Sequence, residues 1–139
     1  MSTDCLFCKI IAGDIPSHKI YEDEHVYAFL DIGPVSKGHA LFIPKEHAID
    51  LCEGSREAAC ALMGVVHDVA PKMMEALGAS GFNLGVNHGV DAGQEVFHTH
   101  LHVMPRYAGQ ARTFEKRQPS QEELAGVAAQ IREKTMPDA

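Results

Sequence analysis

Three histidines fall at alternate positions, His98, His100 and His102, in the stretch HTHLHVMPR. In a strand, successive side chains point to opposite faces, so the three imidazoles share one face while Thr99, Leu101 and Val103 share the other. The rings then stand about 7 Å apart, twice the rise per residue of a strand. Two chemistries suit such a row. A catalytic zinc ion takes three protein ligands and keeps one position open, and alternate histidines can supply two or three of them. A phosphorus-directed site instead uses one neutral imidazole as nucleophile and its neighbours as hydrogen-bond donors to phosphate oxygens. A polar sheet face is the third reading, and strict alternation of three histidines argues against it. Periodicity alone does not choose between the first two.

A second group that could do chemistry is Cys5-Leu-Phe-Cys8, a C-x-x-C that alone fits a redox pair, half of a zinc site or two free thiols. The remaining cysteines, Cys52 and Cys60, lie in or beside a helical pattern and read as reduced thiols. Nine histidines in 139 residues concentrate the information in that residue type. His18, His25, His67 and His88 lack comparable support, and Met63, Met73 and Met74 read as packing or interface material.

The elements that must carry these groups follow from pattern. KIIAGDIP suggests a short helix stopped by Gly13 and Pro16. His18 to Tyr21 and Val26 to Leu30 read as a hairpin, and HALFIP, residues 39–44, as a third strand after the loop DIGPVSKG. From Ser55 to Leu77, apolar residues at spacings of three and four predict the longest helix, with a kink or break expected near Pro71. GFNLGVN and VFHTHLHVMP supply two more strands, joined by HGVDAGQE. Ser120 and Glu123 have capping-box spacing ahead of a final short helix. The sum is one α+β domain of about five antiparallel strands, with one long helix and short helices near each end.

Composition narrows the function. A hydrophobic fraction of 45 % fits a single globular domain over residues 1–139, and a formal net charge of -7 without a basic run argues against binding a nucleic-acid polymer. Neither a signal peptide nor a membrane span is legible, so a cytoplasmic location is expected.

QEVFHTHLHVMPR resembles the signature of the histidine triad family, in which three histidines alternate with apolar residues and a glutamine lies four positions upstream. DIGPVSKGHALFIPKEH and FNLGVN are similar to the family's other ordered segments, in order and spacing. The likeness covers roughly residues 5–106, and the tail 107–139 is not diagnostic. It implies a purine nucleoside phosphoramidase or nucleotidyl hydrolase that cleaves at the α-phosphate of AMP or GMP derivatives through a covalent nucleotidyl-histidine. His100 would be the nucleophile, its other ring nitrogen donating to a main-chain carbonyl. His102 would bind phosphate oxygens and assist the leaving group, with His39 facing the same site. Gln94 and Asn87 match positions that contact the phosphate region and the ribose side, and Asp31 matches the acceptor for the ribose hydroxyls. Phe7, Ile10, Phe29 and Ile32 match apolar positions of the base pocket.

The resemblance also bears on the cysteines. Many bacterial members pair a C-x-x-C with the PK-x-H histidine and the first triad histidine, which implies a structural zinc on Cys5, Cys8, His47 and His98. It further implies a homodimer, joined through the long helix and one strand. One departure is Glu95, where well-known phosphoramidases carry a serine near the leaving group; a carboxylate there would disfavour acidic leaving groups and favour amines. Three alternatives remain at this level: a nucleotide- and zinc-binding regulatory protein with weak catalysis, a dinucleoside polyphosphate hydrolase, and a metallohydrolase with zinc on the triad.

Overall fold

Strand alternation sets the architecture, because two strands are buried on both faces. In the computed structural model, which describes residues 4–137, α1 (Leu6–Ala12) precedes β1 (Lys19–Glu22), β2 (Val26–Leu30) and β3 (Ala40–Pro44). Then come α2 (Arg56–Leu77), β4 (Gly81–Gly85), a 3-10 turn at Val90–Ala92, β5 (Leu101–Arg106) and α3 (Gln121–Thr135). The sheet is antiparallel, in the order β1-β2-β3-β5-β4. Among the described residues no helix is long and apolar enough to cross a membrane.

One sheet face carries Ile20, Val26, Ala28, Leu30, Ala40, Phe42, Leu101 and Val103. These pack against the apolar faces of α2 (Leu62, Val66, Val69, Ala70, Met73) and α3 (Leu124, Val127, Ala128, Ile131). The alternate residues Tyr27, Phe29, Leu41 and Ile43 form a smaller core on the other face with Cys5, Phe7, Cys8 and Ile10 of the α1 region. His102 pairs in register with Leu41 and so belongs to the α1 side of the sheet. Burial of both faces at β2 and β3 accounts for their continuous apolar runs.

Several boundaries depart from expectation. The expected break at Pro71 is absent, and α2 runs unbroken from Arg56 to Leu77. Pro71 and His67, whose carbonyl loses its partner, both lie on the exposed face, so that carbonyl is open to solvent. The C-terminal helix, capped by Ser120 as its spacing predicts, extends over 15 residues rather than ending short.

β5 begins at Leu101, so His98 and His100 precede the regular strand. Continuing the β3–β5 register would set Pro44 opposite Thr99. Pro44 has no N–H to give, its carbonyl accepts from His98 Nε2 (2.8 Å), and the Thr99 N–H turns to Ala48 O (3.0 Å). Gly38, just before His39, has φ 86°, and a Cβ there would overlap the Leu77 side chain. That close approach lets the loop enter β3 directly beneath the end of α2.

Candidate active site and metal centre

The triad histidines share a face but divide between two neighbourhoods. His98 is fully buried, and its Nδ1 lies 3.4 Å from Cys5 Sγ, 3.6 Å from Cys8 Sγ and 3.2 Å from His47 Nδ1. Cys8 Sγ lies 3.3 Å from His47 Nδ1. Because Pro44 O can only accept, His98 Nε2 carries the proton and its Nδ1 lone pair points into this cluster. A tetrahedral zinc with bonds of about 2.0–2.3 Å would separate its ligands by about 3.3–3.8 Å. The four donors approach that spacing, and their chemistry, two thiols and two imidazoles, suits a divalent soft-to-borderline cation. Cys5 also caps α1, taking the Cys8 N–H on its Sγ at 3.4 Å.

His100 and His102 sit apart from that cluster, with ring centroids 5.1 Å apart. His100 Nδ1 donates to His98 O at 2.8 Å, which leaves its Nε2 as a lone pair. Phe7 holds the same ring edge-on at 5.2 Å. His39 accepts the Val35 N–H on Nδ1 (3.0 Å), so its own proton is on Nε2, which donates to His102 Nδ1 at 2.9 Å. The chain of donors therefore fixes His102 with its remaining proton on Nε2. Asp31 accepts the Gly33 N–H at 2.8 Å and keeps its other oxygen 3.7 Å from His39 Nε2.

Burial is the first cause that lowers the pKa of His39, His98 and His102. It depresses His102 to about 4, helped by the neighbouring His39 and His100 and by Lys116, against the opposing pull of Asp31. His39 is depressed by burial as well, with Asp31 opposing and Arg106 and Lys116 reinforcing. His98 is lowered by burial despite its bond to Pro44 O.

A cavity of about 980 Å³ opens over the rings. At one end Phe7, Ile10 and Phe29 form a buried apolar wall, while Ile32 stands at the mouth with 69 % of its surface exposed. Asp31, His39, His100 and His102 line the same cavity, together with Asn87 and the exposed Glu95. Gln94 is not brought to the cavity. Its buried side chain is satisfied by main-chain groups, accepting from Gly89 N (2.8 Å) and donating to Ile49 O (2.5 Å) and Val96 O (3.1 Å).

Sequence reasoning did not single out Asn83, Leu84, Met104, Phe114 or Lys116, all of which line the same space. Phe114 and Lys116 come from an irregular strap after β5. Arg106 Nη1 holds that strap at Thr113 O (2.7 Å), and Arg117 N–H holds it at Pro34 O (2.8 Å). The guanidinium groups of Arg106 and Arg112 lie 4.9 and 5.6 Å from the Phe114 ring. No motif marks this strap, although an aromatic among three cations was a visible signal.

Comparison with known proteins gives a consistent picture. The HIT domain family profile matches residues 12–109. The chain is 51 % identical over 104 residues to Protein hit of Bacillus subtilis, covering 75 % of this chain and 72 % of that one. It is 45 % identical over 102 residues to the adenosine 5'-monophosphoramidase hnt1 of Schizosaccharomyces pombe, with 73 % and 74 % covered. Against adenylylsulfatase HINT3 of Arabidopsis thaliana the identity is 43 % over 106 residues, covering 76 % of this chain and 54 % of that protein. Among solved structures, a Hit-like protein from Bartonella henselae superposes with a TM-score of 0.87 at 32 % identity, covering 95 % and 96 % of the two chains. A Zn-bound histidine triad family protein from Mycobacterium smegmatis gives 0.81 at 39 % identity, covering 94 % and 97 %.

Proposed function

The chain belongs to the HIT domain family, the histidine triad proteins, and on that ground we propose that it is a nucleotide hydrolase acting at the α-phosphate of purine nucleotide derivatives. The observation that carries this reading is the tautomer of His100, whose Nδ1–H is held by His98 O while Nε2 faces the cavity as a free lone pair. Attack by Nε2 forms a nitrogen–phosphorus bond as the bond to the leaving group breaks, and water then cleaves the nucleotidyl-histidine. His102 Nε2–H lies beside His100 to donate to phosphate oxygens. A bound phosphate brings negative charge to His102, which counters the burial that depresses its pKa and lets it carry the leaving-group proton.

His39 orients His102, and Asp31 offers a carboxylate oxygen to the ribose hydroxyls. Phe7, Ile10 and Phe29 would take one face of the base, with Ile32 closing the mouth. Asn87 serves the ribose side. Relatives named as a phosphoramidase and an adenylylsulfatase support AMP derivatives as the substrate class. The exposed Glu95 favours a cationic amine as leaving group over an acidic one. Orientation of the His98 lone pair toward the cysteines weighs against the alternative with a catalytic metal on the triad.

Incubation with an adenylated lysine, an acyl-adenylate and a dinucleoside polyphosphate, read by mass spectrometry, tests the proposal. Adenylyl-His100 and fastest turnover of the phosphoramidate are expected, and His100→Gly is expected to abolish turnover while AMP still binds. Unchanged activity in that variant would overturn the reading, and faster polyphosphate cleavage would remove the role given to Glu95.

Cys5, Cys8, His47 and His98 would hold a structural zinc, which when bound supplies cross-linking of α1 to the segment before β5. A homodimer and a cytoplasmic location belong to the same proposal. β4 is a free sheet edge with Phe82 and Leu84 exposed, and Met63 of α2 is 51 % exposed, features that suit burial against a second copy. Native mass spectrometry of chelator-free protein checks zinc and dimer together. A dimer carrying two zinc ions is expected, and a metal-free monomer at micromolar concentration would contradict both assignments.

A further inference from the structure

We infer that Gln94 is a positioning residue, which fixes the segment leading to His100 from inside the protein instead of touching the phosphate. Its amide braces the 89–96 stretch, already closed by the Gln94 N–H on Gly89 O (3.0 Å), and ties it to Ile49 of a distant segment. The Oε1 atom accepts from Gly89 N at the turn after Asn87, and Nε2 donates to Ile49 O, two residues after His47, and to Val96 O, two residues before His98. Both amide hydrogens are used, and the residue is 4 % exposed. The group therefore has no N–H left to offer a substrate.

The consequence reaches His100 through one residue. Residues 95–100 lie outside any strand, anchored to the 44–49 segment by His98 Nε2 on Pro44 O and by Thr99 N–H on Ala48 O. Gln94 adds the anchor at the start of that segment. His98 O, within it, is the group that accepts the His100 Nδ1–H and so selects which nitrogen keeps its lone pair. A shift of the segment would weaken that bond and release the ring to the other tautomer, in which Nε2 is protonated and cannot attack. Around metal sites, the outer partners that orient a ligand change affinity or activity about 10- to 100-fold when replaced, and an effect of that order is expected here.

The inference rests on the proposed function for its kinetic readout but not for its spectroscopic one. Gln94→Glu keeps the acceptor for Gly89 N and turns a carboxylate oxygen toward the carbonyls of Ile49 and Val96. Gln94→Met keeps the volume without either function and serves should the first variant fail to fold. In 15N-histidine-labelled protein, the hydrogen-bonded Nδ1–H of His100 is expected to be sharp in the parent chain. In the variant it is expected to be broadened or lost, with kcat reduced about 10- to 100-fold and the Kd for AMP within about threefold. A variant that keeps the His100 Nδ1–H signal overturns the inference. If it also binds AMP tenfold more weakly, Gln94 contacts the nucleotide directly. Absence of hydrolysis in the parent chain would sink the proposed function alone, since the Nδ1–H comparison stands without turnover.

Discussion

At the scale of single residues, His102 carries a cost that the protein bears for its site. The folded ring refuses a proton until about pH 4, whereas an unfolded histidine takes one near 6.5. Between those values the unfolded chain binds more protons, so the stability contributed by the neutral ring is complete above pH 6.5 and is lost as the pH falls toward 4. His39 and His98 are shifted in the same direction. The urea midpoint is therefore expected to fall between pH 7.5 and pH 5, above the range where ordinary carboxylates titrate; a midpoint constant over that interval would contradict neutral buried rings. The alternation of three histidines, read from sequence as a row on one face, corresponds in the structure to rings that serve two clusters. That division followed from the distant Cys5, Cys8 and His47, visible through the family resemblance. The buried setting of Gln94 was not legible, because its partners are carbonyl and amide groups, which every residue possesses.

At the scale of elements, the loop before β3 illustrates how tightly the His39 side of the site is set. Gly38 combines φ 86° with a Cβ position already occupied by Leu77. Gly38→Ala is expected to destabilise the protein by about 1–3 kcal/mol through left-handed backbone strain and overpacking. Equilibrium denaturation measures this, and a loss below the measurement error would show that α2 and the loop can part without cost. Apolar spacing located α2 and the capping-box spacing of Ser120 located the start of α3, and in the structure Ser55 caps α2 as well. The start of β5 was misjudged because the pattern there continues while the ladder stops, for want of a Pro44 N–H. At Pro71 the helix does not break, since on the exposed face the lost bond leaves a carbonyl open to solvent. The strap bearing Phe114 and Lys116 escaped notice because it has no period at all, being fixed by Arg106 and Arg117 instead.

For the molecule as a whole, the fold class was accessible because the sheet's two faces write themselves into the strands, one continuous apolar run for each strand covered on both sides, whereas the family was accessible through the resemblance of QEVFHTHLHVMPR and two other ordered segments. The two faces also differ in size. The face under α2 and α3 holds a large apolar core, and the face under α1 holds a small one supplemented by two thiols and two imidazoles. Cooperative units in a protein open at free energies that track their buried contacts, so the two faces should not open together. The amides of α1 are expected to exchange with deuterium by a local opening well below the global unfolding free energy, and those of β3 and α2 only by global unfolding. Added chelator should speed exchange in α1 and leave α2 unchanged, whereas equal protection across both faces would mean a single cooperative unit. By this account the small core is the adjustable half of the protein, and occupation of its metal or nucleotide would be registered first as a slower breathing of α1.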